Sequence, residues 1–124
     1  MRVSVARYLL LVSVALLGVV PARAGNELIV IEKVQVVRTI SGVVRDRSGS
    51  PIEGATVAEV SADHETVIRS VVTGEDGSFR FPQEPKQQIY DLMISAHNFN
   101  PLLVHVRTSR WTRRALNLRL EVAT

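Results

Sequence analysis

The sequence predicts an all-β protein, an antiparallel Greek-key β-sandwich of seven to eight strands, and three observations carry that prediction. Helical periodicity is nearly absent after Ala24. Period-two alternation recurs along the rest of the chain, and Gly, Pro, Asn and Asp punctuate it every 8–12 residues or so. No segment beyond Ala24 has the pattern of a crossover helix, so antiparallel pairing is expected.

The N-terminus reads differently. Arg2 and Arg7 precede Tyr8–Val20, thirteen uncharged and mostly apolar residues, and Pro21-Ala22-Arg23-Ala24 follows. A basic start, an apolar run too short to span a bilayer and a small-x-small site describe a secretory signal peptide over residues 1–24, cut after Ala24. Residues 25–38 are then an N-terminal strand or extension, and 39–124 the sandwich domain. The formal charge of +3 rests on Arg2, Arg7 and Arg23, since the remainder has twelve basic and twelve acidic residues. An even balance argues against a protein that coats nucleic acid. With no cysteine, disulfide scaffolds, thiol enzymes, thiolate zinc sites and cysteine-anchored lipoproteins are excluded.

Leu28–Val37 is β-prone throughout, and is either an eighth strand closing a sheet or an exposed edge that recruits another chain. Ile40–Asp46 is the next strand, ending in the turn Arg47-Ser48-Gly49-Ser50-Pro51. Ala55–Ala62 and Thr66–Thr73 follow, with Asp63-His64-Glu65 as the tight link between them. Gly74-Glu75-Asp76-Gly77 reverses the chain into Ser78–Phe81, because Asp-Gly readily supplies positive φ. Phe79 and Phe81, two apart, point the same way, into the core. Pro82–Gln88 is a loop. In Ile89–Ala96, the residues Tyr90, Leu92, Ile94 and Ala96 share the buried face, with Asp91, Met93 and Ser95 on the wet one. Leu102–Thr108 follows the turn at Asn98–Pro101 and turns Leu102, Val104 and Val106 inward, His105 and Arg107 outward. Ala115–Val122 alternates most regularly, with Leu116, Leu118, Leu120 and Val122 on one face.

Four pieces of this pattern, in order, resemble a known family: ISGVVRDRSGSPIEGATV at Ile40–Val57, TGEDGSFRF at Thr73–Phe81, YDLMISAHNF at Tyr90–Phe99 and LNLRL at Leu116–Leu120. They are similar to the carboxypeptidase regulatory-like domain, a transthyretin-like β-sandwich. Such domains usually place a glycine before the aromatic where this chain has Asn98, a residue that tolerates left-handed geometry. The resemblance implies a non-catalytic accessory module. Such modules occur beside metallocarboxypeptidase domains, at the N-termini of TonB-dependent receptors and in secreted bacterial proteins. It implies no single ligand, and no cofactor.

Residue types speak against the enzymatic relatives. No His-x-x-Glu zinc pair is present, the C-terminus is not the Tyr-Arg-Gly-Ser of 5-hydroxyisourate hydrolases, and no Gly-x-Ser-x-Gly elbow occurs. No catalytic or metal-binding residue is assigned. A hydrolase survives as a third reading only because a triad is recognised by geometry. Asp46, Glu53, Asp63, Glu75 and Asp76 fall at strand ends, where carboxylates could gather on calcium, but turn chemistry accounts for them more simply. His64, His97 and His105 read as surface residues.

Charge is the uneven feature. Gly25–Ala96 has seven basic and eleven acidic residues, whereas His97–Thr124 has five arginines against one glutamate. Arg107, Arg110, Arg113 and Arg114 surround Trp111 between the last two strands. Guanidinium groups with an indole suit an anionic or sugar-like partner, so these five residues are the candidate binding patch. The plainer reading folds Trp111 over the edge of the core and leaves the arginines solvated. The function expected is therefore a secreted or periplasmic interaction module for a protein or glycan of the cell envelope, possessing no catalysis and no nucleic-acid role. The alternative is an assembly component that adds its N-terminal strand to a partner sheet, as in a TonB-dependent receptor system.

Overall fold

The computed structural model describes residues 27–82 and 89–123; the leader expected over Met1–Ala24 and most of the Pro82–Gln88 loop lie outside them. Eight strands run in chain order: β1 (Ile29–Val37), β2 (Ser41–Arg45), β3 (Thr56–Val60), β4 (Val67–Val72), β5 (Ser78–Arg80), β6 (Ile89–Ser95), β7 (Leu102–Thr108) and β8 (Leu116–Arg119). They form a five-stranded sheet, in the order β1-β7-β6-β3-β4, and a three-stranded sheet, β5-β2-β8. No helix occurs among the described residues. All eight expected strands are present, most of them trimmed by a residue or more at their ends.

The expected pairing needs correction. β3, β4, β6 and β7 pair antiparallel, as does β2 with β5, but β1 runs parallel to β7 and β2 parallel to β8. Parallel neighbours need a long crossover, not necessarily a helix. Here the crossover from β2 to β8 is made by the strands between them, most of which belong to the other sheet.

The inward residues of both sheets form one core. Val57, Tyr90, Leu92, Ile94, Leu102, Val104 and Val106 of the larger sheet meet Val44, Phe79, Phe81, Leu116, Leu118 and Leu120 of the smaller. Phe79 and Phe81 thus point inward as their spacing predicts. One expected exposure and one expected face fail. Met93 lies opposite Tyr90, Leu92 and Ile94 as expected, yet is 2 % exposed, and Val122, expected inward, is exposed because β8 ends at Arg119 and only an isolated bridge to Phe99 follows.

Gly42 is required by the parallel β2–β8 contact. A Cβ there would lie 2.2 Å from the Leu116 carbonyl oxygen. Gly77 holds φ near 78°, and Asn98 takes the left-handed position with φ 71°, as the turn demands of it. β1 forms one edge of the larger sheet. Its register breaks between Ile31 and Gln35, where Glu32, Lys33 and Val34 are exposed, a charged irregularity of the kind that blunts an open edge.

Candidate functional site

The loop between β7 and β8 is held from beneath by the end of β1. Ser109 donates its backbone N–H to the Val37 carbonyl at 2.8 Å, and Arg38 donates its own to the Arg114 carbonyl at 3.0 Å. Inside the loop, the Ser109 hydroxyl accepts from the Trp111 N–H and the Thr112 hydroxyl from the Arg114 N–H, local turns that fix the backbone without help from the indole. Trp111 is 87 % exposed. The fold-back of the indole onto the core's edge, the plainer expectation, is therefore not what the structure shows.

Arg110 stacks against the indole, its guanidinium carbon 5.5 Å from the ring centroid. Arg107, Arg113 and Arg114, its neighbours in sequence, are exposed. Arg38 joins them, donating Nη1 to the Arg110 carbonyl at 3.2 Å. The ion pairs among the described residues involve Glu59, Arg69, Asp91, His64 and His105, so none of these five arginines has a carboxylate partner there. Sequence reasoning missed Arg38. It closes the N-terminal extension, and only the parallel β1–β7 pairing brings it 72 positions along the chain to Arg110.

A second constellation lies on the outer face of the larger sheet. Asp91 of β6 stands opposite His105 of β7, with Oδ1 2.7 Å from Nδ1. Its Oδ2 lies 2.9 Å from Nε2 of His64, which reaches in from the β3–β4 turn with φ 61°. His64 and His105 are consequently half-buried, correcting the reading of them as plain surface residues; His97 is exposed as expected. A carboxylate accepting from two imidazoles ties the β3–β4 turn to the sheet. Chain spacing alone gave no signal of it, since register decides which residues face each other.

Four other acids are structural. Glu59, 2 % exposed on the core side of β3, accepts from Nε of Arg69 at 2.6 Å. The Arg69 guanidinium also lies over the Phe81 ring at 4.9 Å and donates to the Pro82 carbonyl. Asp46, Asp63 and Asp76 close turns. The hydroxyls of Ser48, Ser61 and Ser78 respectively lie 2.6 Å from their Oδ1 atoms, and following backbone N–H groups add further bonds. These bonds, the serine hydroxyls foremost, hold all three carboxyls below the usual carboxylate value. Among the described residues no three His, Asp or Glu side chains converge as a metal site.

Solved structures with a similar outline include catechol 1,2-dioxygenase of Acinetobacter radioresistens, 14% identical with a TM-score of 0.49, the alignment covering 100% of this chain and 73% of that one. Hydroxyquinol 1,2-dioxygenase of Pseudomonas putida DLL-E4 is 12% identical with a TM-score of 0.48, covering 97% and 75%. The dioxygenase activity is that of those proteins, and at such identities nothing about activity carries over to this chain. No curated protein matches the chain. The family model of the carboxypeptidase regulatory-like domain matches residues 39–121, most of the sandwich described above, and the chain belongs to that family.

Proposed function

We propose that this protein is a non-catalytic, exported binding module that recognises an anionic glycan of the cell envelope through the β7–β8 loop. The observation that supports this most is the exposure of Trp111 among Arg38, Arg107, Arg110, Arg113 and Arg114. An indole in water next to guanidinium groups that have no carboxylate partner among the described residues offers a stacking face for a sugar ring and donors for its carboxylate or phosphate. The turns within the loop fix its backbone before any ligand arrives, which reduces the entropy lost on binding.

An acidic envelope protein would meet the same donors but has less use for the indole face. Strand addition through β1 is weighed down by the charged break at Glu32–Val34. Export follows from the leader pattern, with processing after Ala24 leaving Gly25 as the first residue. The test is a glycan array on the exported protein, its intact mass measured beforehand. Retention of uronate- or phosphate-bearing glycans over neutral ones of the same backbone supports the reading; equal retention, or none, opposes it.

A further inference from the structure

The outer face of the smaller sheet is basic. In β2 the buried Gly42 and Val44 alternate with Ser41, Val43 and Arg45; in β5 Phe79 alternates with Ser78 and Arg80, and in β8 Leu116 and Leu118 alternate with Asn117 and Arg119. Val44, Phe79, Leu116 and Leu118 line the core, so the second residues of each set point away from it. Arginine takes three of these outward positions and no acid takes any. Arg80, Asn117 and Arg119 are exposed, as is Arg47 just beyond β2. None of Arg45, Arg47, Arg80 and Arg119 belongs to an ion pair among the described residues. Asp46 and Asp76, beside β2 and β5, are bonded to Ser48 and Ser78 instead, and Glu121, beyond β8, enters no ion pair there either.

Register sets these groups out in a line. Arg80 stands level with Ser41, and Arg119 is the direct neighbour of Arg45. Ser41 and Arg45 lie about 13 Å apart along the strand. Arg45 turns back to give Nη1 to Asn117 Oδ1 at 3.2 Å, whereas Arg119 turns onward to the Arg47 carbonyl at 3.1 Å, so the guanidinium groups are spread along the strands. Both strands start at the arginine-tryptophan loop, since Arg38 shortly precedes β2, Arg114 shortly precedes β8, and the two backbones are bonded. An open depression lined in part by Ser41, Val43, Ser78, Arg80 and Ala115 lies at that end. Like charges side by side on neighbouring strands destabilise a sheet, a cost that an anion bound between Arg45 and Arg119 removes.

We propose that the ligand is an extended anionic polysaccharide bound along its chain, one stretch on the loop and the continuation over the outer face of the smaller sheet, from Arg80 to Arg45, Arg119 and Arg47. The inference rests on the loop reading above and adds the form of the ligand, a run of several acidic sugars in place of a single terminal one. Arginines spaced along a strand fit carboxylates or phosphates that repeat along a polymer, and outward positions without an acid do not repel them. Two linked contacts on one chain also bind more tightly than either alone, because the second forms at a high effective concentration.

The test compares digalacturonate with octagalacturonate on the exported protein at one low salt concentration. The parent should bind the octamer at least about thirtyfold more tightly than the dimer, beyond the roughly sevenfold that extra registers on a longer chain supply. Arg45→Gln with Arg119→Gln should lose that excess while keeping the parent's affinity for the dimer. Arg80→Gln, which alters one exposed side chain, should lose part of it and serves if the double variant does not fold. Octamer affinity equal to the parent's in these variants overturns the extension and leaves the loop reading standing, as does a parent whose gain with length is no more than the registers supply. The loop reading fails, and the extension with it, if the parent binds neither oligomer or if Arg113→Glu with Arg114→Glu binds the octamer as the parent does. Tighter binding of single-stranded DNA of equal charge than of the octamer overturns the assignment to a polysaccharide.

Discussion

Asp91 and His105 face each other across β6 and β7, and the carboxylate Oδ1 lies 2.7 Å from the imidazole Nδ1 while its other oxygen meets His64. The contact joins two strands and a turn through one side chain that is only 18% exposed. Asp91→Ala removes the acceptor from both rings and should destabilise the fold by about 1–3 kcal/mol. A double-mutant cycle with His105→Ala should show coupling of at least about 0.5 kcal/mol. A loss below about 0.5 kcal/mol for Asp91→Ala would reduce the constellation to a surface contact.

Leu118 and Asn117 test the sandwich itself. Leu118 is 2 % exposed between the sheets, whereas Asn117 points to solvent and accepts one bond from Arg45. Leu118→Ala should cost about 2–5 kcal/mol and Asn117→Ala less than about 0.5. Equal shifts in the denaturation midpoint would contradict the assignment of faces along β8.

Gly77 carries two separate demands. Its φ of 78° disfavours any side chain, and a Cβ would lie 2.6 Å from the Val44 carbonyl oxygen. Gly77→Val should therefore destabilise by more than about 1 kcal/mol, read from chemical denaturation. Gly49→Val is the comparison, since Gly49 also has positive φ but nothing within 4 Å of its Cβ position. The Gly77 variant should be the worse of the two; the reverse order would mean that the close approach to Val44 is not what fixes the turn.

Acid should weaken the fold through Asp46, Asp63 and Asp76. Each titrates below its ordinary value of 3.8 when folded, so on acidification the unfolded chain takes up these protons first. Their stabilisation is complete above about pH 4–5 and is lost as pH falls through the lower, folded values. Replacing all three by Asn, which can still accept the turn bonds, should flatten the fall in thermal midpoint between about pH 4 and 2. An unchanged slope would place acid sensitivity elsewhere.

All eight strands were legible from alternation and turn residues, and Phe79, Phe81, Gly77 and Asn98 stand as their local chemistry requires. Pairing was less legible. Alternation assigns faces but does not say which strands meet, so the parallel neighbours of β1 and β2 could not be read from it. Met93 lies on the face its alternation with Asp91 and Ser95 assigns, but alternation does not report that this outer face carries an apolar cluster of its own. Arg38 and the Asp91 pair escaped for a related reason, their partners being fixed by register between distant segments. Trp111 and its arginines, by contrast, are neighbours in sequence, and that local density made the patch visible at once.

The central claim is that the arginine-tryptophan loop is the binding surface, and the most direct measurement of it is equilibrium binding to an acidic polysaccharide by the parent and by Arg113→Glu with Arg114→Glu, at low and high salt. The account predicts binding by the parent that weakens once the Debye length falls well below about 10 Å. It predicts none by the double variant, whose thermal midpoint stays close to the parent's because both side chains are exposed. Binding by the double variant equal to the parent's would contradict the claim and leave the loop as solvated surface.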